Sequence, residues 1–275
     1  MDAGEIKQHW ERWAREFETD LRATTKTPTI KRLEVDALRR ALTRAGVAGR
    51  PAQVLEVGCG NGHNCLALAD LLPDATITGI DYVEDMVAHA AALRARSAAR
   101  DRLRFHVGDA SALVAHPDLG RSYDAAFTVR CIVNLSTPEA QRAAVAQLAE
   151  VVRPGGHVVL IENVLDGFAA QNGWRAAVGL PAREPAPFNL FLRHELVVGP
   201  WTDGLLELVT WESFGSLHDL VLYVLVPMID EGAVNYESPM VSAATELALA
   251  LAGDPSLDGF PAIGQNRMYL FRKPG

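Results

Sequence analysis

The sequence predicts an α/β protein built on a doubly wound, mostly parallel sheet with helices on both faces. Three observations predict it. From Pro51 onward, short β-rich runs alternate with helical stretches, the pattern of strands joined by helical crossovers. The first run ends in Val57-Gly-Cys-Gly-Asn-Gly62, three glycines in five positions, just before a helix. The chain has 275 residues and is 49% hydrophobic, enough for one large core.

The elements follow in order. Residues 5–20 predict a helix with Ile6, Trp10, Trp13 and Phe17 on one face. The tract Thr24-Thr-Lys26-Thr-Pro28-Thr-Ile-Lys31 breaks it, and a second helix runs from about Pro28 to Ala45, stopped by Gly46 and Gly49. This segment, 1–50, reads as an N-terminal helical lid, with Lys26 or Lys31 able to reach an anion. The core, 51–163, reads as QVLEV, a helix from about Gly62 to Leu72, TITGID, a helix to about Arg100, RLRFHV, YDAAFTV, a helix from Pro138 to about Val152, and GHVVLIE. The remainder, 164–275, is mixed and Pro-rich to 204. It then gives a strand at 205–211, a mostly helical insertion over 215–264 and a last strand at 267–273. The two insertions, 164–204 and 215–264, are expected to roof a substrate site.

Three glycines after a strand make a ligand-binding turn. Glycine permits positive φ and lets the backbone approach a ligand. The helix that follows offers free N–H groups to it, and in a doubly wound sheet the turn lies at the strands' carboxyl ends, where ligands bind. The dinucleotide pattern G-x-G-x-x-G would need a third glycine at position 63, which is His63, and a P-loop G-K-[ST] triplet is absent. The pattern present is Glu56-x-Gly58-x-Gly60-x-Gly62.

That pattern resembles the first motif of class I S-adenosylmethionine (SAM)-dependent methyltransferases. Four further landmarks over 51–163 match the family in order and spacing: Ile80-Asp81, Gly108-Asp109-Ala110-Ser111, Tyr123-Asp124 and Arg153-Pro-Gly-Gly156. The resemblance implies a Rossmann-like, seven-stranded, mostly parallel sheet and SAM as cofactor, with S-adenosylhomocysteine as product. It implies that Gly58, Cys59, Gly60 and Gly62 pass under the methionine part, with Glu56 ordering the loop or meeting the amino group. Asp81 would take the ribose, Tyr82 and Met86 would lie near adenine, and Asp109, Ala110 and Ser111 would take its edge. Arg130 is a further candidate for cofactor contact.

In this family the segment after the fourth strand sits beside the transferred methyl. Here it is Thr128-Val-Arg130-Cys131-Ile-Val-Asn134. An N-P-P-Y-like motif is absent, which disfavours nucleobase or glutamine acceptors. Candidates for catalytic contact are Arg130 and Asn134, Glu162 at the end of the fifth strand, and His194 and His218 in the insertions. A histidine titrates near neutral pH and could serve as base. No metal-binding spacing is present.

Composition excludes other classes. The net charge is −8, and no Lys or Arg lies between Arg193 and Arg267, where eleven acidic residues do. Nucleic-acid binding needs a basic track, so none is expected. The acidic roof instead suggests a small-molecule acceptor, neutral or cationic. No apolar run approaches the ~18 residues of a membrane span, so no membrane is expected. Three cysteines without a CxxC pair and a polar start suggest a cytoplasmic protein, and the Arg- and Ala-rich composition a bacterial one. The apolar stretch 215–252 could bury itself in a homodimer. The expected function is methyl transfer to oxygen or nitrogen of a small molecule. The rivals are a protein or peptide methyltransferase, a non-catalytic SAM-binding protein, and an NAD-linked oxidoreductase.

Overall fold

A computed structural model describes residues 1–254 and 260–275. Seven strands form one sheet: β1 (Ala52–Val57), β2 (Ala75–Asp81), β3 (Leu103–Val107), β4 (Tyr123–Val129), β5 (Val152–Asn163), β6 (Glu207–Glu212) and β7 (Asn266–Arg272). Their order is β3-β2-β1-β4-β5-β7-β6. The first five pair in parallel, and β7 runs antiparallel between β5 and β6. Period-2 alternation sends successive side chains to opposite faces. Val54, Phe127 and Val159 pack with Leu38, Leu42 and Leu68 on one face. Leu55, Ala126 and Leu160 pack with Leu148 and Phe168 on the other.

Helices α1 (Ala3–Phe17) and α2 (Pro28–Arg44) precede the sheet. Asp2 and Glu5 form a capping box at the start of α1. Thr27 caps α2 and Pro28 occupies its first turn, where a missing N–H costs nothing. The crossovers are α3 (His63–Leu71), α4 (Glu84–Ala95) and α5 (Pro138–Val151). Helix α4 ends five residues before the predicted boundary, because Ser97 Oγ accepts the Ala99 N–H and turns the chain.

After β5 the structure departs further from the prediction. The tract read as irregular opens with a helix, α6 (Leu165–Ala177), followed after an extended run by α7 (His194–Val197). Gly167 and Gly173 weaken the helical signal of α6. Gly167 is there for packing, since a Cβ would collide with the Gly264 carbonyl. Beyond β6, α8 (Ser216–Leu220) runs through a π-helical turn (Val221–Leu225) into α9 (Val226–Ile229), and α10 (Pro239–Ala250) follows. Pro227 lacks the N–H that a regular helix would use, which accounts for the widened turn before it. Helix α10 packs on α2 and α8. Leu225, Met228, Ile229 and Leu247 stay exposed on this insertion. Among the described residues, no helix is long and apolar enough to cross a membrane.

Candidate active site

The glycine loop connects β1 to α3. Gly58, Gly60 and Gly62 all have positive φ, at 73°, 53° and 86°. Space is as restrictive as conformation. A Cβ on Gly58 would lie 2.5 Å from Cys131 Sγ, and one on Gly60 would strike the methyl of Thr24. The loop is tied to β2: Gly58 and Cys59 donate their N–H groups to the Ile80 carbonyl at 2.9 and 2.8 Å. Gly60 donates to Asp81 Oδ2 at 2.8 Å, and Val83 N donates to Asp81 Oδ1 at 3.0 Å. Burial pushes the Asp81 carboxyl up to about 6, against the pull of those backbone donors.

A cavity of about 310 Å³ lies at the carboxyl ends of the parallel strands, at the low end of the roughly 300–1,000 Å³ typical of ligand pockets. Gly58, Cys59 and Gly60 from the loop, and Asp81, Tyr82 and Met86 from the end of β2, line it. Asp109, Ala110 and Ser111 after β3 line it too, and Asp109 Oδ1 accepts both Ser111 N and Ser111 Oγ at 2.7 Å. Arg130 and Asn134 after β4 complete this set. Gly62 stands just outside as the cap of α3.

Arg130 has φ 54°, a strained value for a residue with a side chain. Its neighbours hold it there. Its N–H donates to the Ile161 carbonyl at 2.7 Å and its carbonyl accepts from Asn134 Nδ2 at 2.6 Å. Its guanidinium reaches fully buried Glu34 on α2 at 2.7 Å and the Thr24 carbonyl at 3.0 Å. Lys31, which lines the same cavity, pairs with Glu34 at 3.1 Å and donates to Asn64 Oδ1 at 2.9 Å. Burial opposes ionisation of Glu34, yet the two cations hold its carboxyl below the usual range. Two cations therefore share one carboxylate beside the cavity. Lys26 is exposed and does not line it.

Four predicted residues lie elsewhere. Glu56 is buried beneath the loop, accepting from Asn64 Nδ2 at 2.7 Å and Cys65 Sγ at 2.9 Å, and it reaches no cavity surface. Its two partners both lie on α3, the helix that follows the loop. Glu162 is also fully buried. It accepts from Thr128 Oγ1 and from the N–H groups of Cys131, Ile132 and Val133, at 2.7 to 3.1 Å. It anchors the loop that carries Arg130 and Asn134. His194 packs between Trp211 and Tyr269, with Nδ1 3.0 Å from the Tyr269 hydroxyl. His218 is buried between Asp219 and Thr29. Neither histidine borders the cavity, and the insertion 215–264 gives it no described residue, since its helix α10 packs on α2 and α8.

The roof is built from α1 and one loop. Ala3, Ile6 and Trp10 cover the cavity from α1, and Phe188 and Asn189 from the stretch before α7. Phe188 stacks on His9 with ring centroids 4.2 Å apart and meets Trp10 edge-on at 5.4 Å. The helical period of α1 exposed the tryptophan signal. Nothing periodic marked Phe188, which sits in the tract Pro185-Ala-Pro-Phe-Asn. Asn64, Ser136 and Asn163 also line the cavity.

Residues 54–156 match a family described as methyltransferase domain. An O-methyltransferase of Penicillium expansum, cnsE, is 35% identical over 129 residues, 46% of this chain and 44% of the relative. The demethylmenaquinone methyltransferase of Deinococcus radiodurans is 33% identical over 125 residues, 45% of this chain and 48% of that one. Over this core the chain is similar to the class I SAM-dependent methyltransferases. It spans less than half the length of these curated relatives. The fold extends over the whole chain. A structure of the Haloferax volcanii Trm112 methyltransferase activator with a methyltransferase aligns with a TM-score of 0.63. It covers 97% of this chain and 98% of that one at 17% identity. The likeness shows the same fold over nearly the whole chain.

Proposed function

We propose that this methyltransferase binds SAM and transfers its methyl group to an oxygen or nitrogen of a small molecule. The observation that carries the reading is one continuous cavity running from the glycine loop and Asp81 to Asn134, Asn163 and Phe188. The residues fit the cofactor on three counts. Gly58 and Gly60, where a Cβ would strike Cys131 and Thr24, keep the loop backbone bare along the cavity. The Asp81 carboxylate accepts backbone N–H groups from Gly60 and Val83 and keeps lone-pair capacity for a ribose hydroxyl. Lys31 and Arg130 outnumber Glu34 by one charge, which suits a carboxylate.

When bound, SAM supplies an electrophilic methyl group on a cationic sulfur. The chain's part is to hold and align. Glu162 fixes the loop after β4, and the Arg130–Glu34 pair ties that loop to α2. Alignment of this kind is worth up to about 7–11 kcal/mol in favourable cases. Segment 1–50, with Phe188, acts as the lid that excludes water. The acids of the 195–254 region stay out of the cavity, which favours a neutral acceptor over a cationic one. Cover by α1 and Phe188 favours a small molecule over a peptide segment.

Calorimetric titration with S-adenosylhomocysteine and, separately, NAD tests the reading. Micromolar binding of the first, lost in Asp81→Ala, is expected. Binding of NAD alone, or of neither, would mean the loop serves another ligand or none.

A further inference from the structure

The backbone reverses sharply where α1 ends. Glu18 takes φ 47° and ψ −116°, a strained conformation for a residue with a side chain. Its carbonyl and the next two are all held by the glycine loop and the start of α3. Asn61 Nδ2 donates to the Glu18 carbonyl at 3.0 Å and to the Asp20 carbonyl at 2.8 Å, and His63 Nε2 donates to the Thr19 carbonyl at 3.0 Å. Carbonyls only accept, so the Asn61 amide nitrogen and the His63 Nε2 proton are both fixed in place. Asn61 is fully buried, and its Oδ1 has no hydrogen-bond partner. Both of its side-chain hydrogen bonds go to the chain leaving α1. Downstream, Asp20 caps the turn Leu21–Ala23 by accepting Arg22 N at 2.8 Å. Thr24 then closes against the loop again. Its methyl occupies the space that a Cβ on Gly60 would need, and its carbonyl accepts from Arg130 at 3.0 Å.

The two halves of this stretch are anchored differently. The strap 18–24 is fastened by part-buried hydrogen bonds. Helix α1 rests on apolar packing of Trp10, Ala14 and Phe17 with Val83 and Met86, and on the stacking of His9 against Phe188. An exposed ion pair, Arg15–Asp85 at 3.6 Å, adds little. A hinge is a few residues at the end of an element that absorb a backbone change, and Glu18 stands at such a place. Strained backbone persists only where its surroundings over-determine it. Here Asn61 and His63 are those surroundings. Asn61 does not line the cavity, so it acts on a ligand only through what it holds.

Resting on the SAM reading, we propose that Asn61 and His63 are positioning residues for the lid, clasping the backbone of Glu18, Thr19 and Asp20 so that α1 is set over the cavity. The glycine loop then has two sides. Gly58 and Gly60 face the cofactor, and Asn61 with His63 grips the strap. A ligand that orders the loop closes α1, and by reciprocity a closed α1 holds the ligand. The covering face of α1 carries Ala3, Ile6 and Trp10. Exit of the ligand depends on that face swinging away at Glu18 while the strap stays in place.

The test is hydrogen exchange of the full chain, read by mass spectrometry with and without S-adenosylhomocysteine, together with the dissociation rate of that ligand. Asn61→Asp keeps the size of the side chain and sets a carboxylate against two carbonyls. The amides of α1 should exchange roughly tenfold faster than in the wild type, the loss of one hydrogen bond, and S-adenosylhomocysteine should dissociate faster by a similar factor. Strands β1, β4 and β5 should keep their protection. His63→Leu should act in the same direction, and His63→Gln, whose amide can donate to the same carbonyl, should restore most of the loss. Equal exchange of α1 in the wild type, Asn61→Asp and His63→Leu would overturn the clasp. So would faster exchange spread evenly over α1 and the core strands, which would make both residues parts of the general packing. Faster exchange in α1 with unchanged ligand dissociation would overturn the coupling of loop to lid. The ligand-free measurement judges the clasp by itself, whereas failure to bind S-adenosylhomocysteine would remove the SAM reading.

Discussion

Helix α2 carries two buried polar clusters, and they differ in a telling way. Lys31 lines the cavity and pairs with buried Glu34 behind it, where Arg130 joins them and leaves one positive charge in excess. Thr29 faces the C-terminal insertion. There it meets His218 Nε2 at 3.3 Å, His218 Nδ1 meets Asp219 Oδ1 at 2.9 Å, and Asp219 Oδ2 accepts Gln265 N at 2.9 Å. Thr29, His218 and Asp219 find their partners inside the protein, and none of them lines the cavity. The first is unbalanced and beside a cavity, the second closed and remote from it. Imbalance next to empty space is the mark of a ligand site; closure is the mark of a brace.

Removing the hub of the unbalanced cluster should have the largest effect. Glu34→Gln leaves two cations facing each other near the protein interior, and breaking such a buried pair costs about 3–5 kcal/mol. Thermal unfolding should show that loss together with weaker S-adenosylhomocysteine binding, since Arg130 and Lys31 both lose their anchor. Unchanged affinity with full destabilisation would reduce the first cluster to a second brace.

Asp219→Asn probes the other side. It leaves His218 or the Gln265 N–H short of a partner, a loss of about 1–3 kcal/mol. Affinity for S-adenosylhomocysteine should stay at the wild-type value, because α8 reaches no part of the cavity. A parallel fall in affinity would erase the distinction between the clusters and show that the brace transmits strain through α2.

The same contrast explains what was legible in the sequence. Gly58 and Gly60 announce themselves because left-handed backbone and close approach are local demands that only glycine meets. Asp81 and Asp109 follow from their places at strand ends. The alternation over 51–163 writes the parallel sheet directly. Long-range contacts leave no such mark. His218 looks like a catalytic histidine until Thr29, far away in sequence, is seen to hold it. Phe188 looks like loop filler until it stacks on His9. The acidic run after Arg193 looks like a pocket lining, but none of its described residues borders the cavity. Helix α6 was hidden by Gly167, whose place is fixed by contact with Gly264, a constraint of packing rather than of helix formation.

Asp81 gives the subtlest way to sharpen the comparison, because only a group in a ligand site should couple protonation to binding. Its carboxyl sits at about 6, pushed up from 3.8 by burial. Folding of the unliganded chain therefore takes up a proton between those values, so this group's stabilising contribution is present at low pH and lost as pH rises through about 6. Ligand hydroxyls donate to the ionised form and favour the opposite state. Affinity for S-adenosylhomocysteine should thus rise by up to about tenfold per pH unit below 6 and level off above it. Glu56 and Glu162, both pushed up by burial to about 7, shift stability in the same direction as Asp81. They lie outside the cavity, so they leave no inflection near 7 in the affinity. Calorimetry across about pH 5 to 8, with Asp81→Asn as control, separates the cases. An inflection near 6 that vanishes in the variant assigns the coupling to Asp81. A flat wild-type profile would make Asp81 a loop anchor of the same closed kind as Asp219, serving Gly60 and Val83 and no ligand.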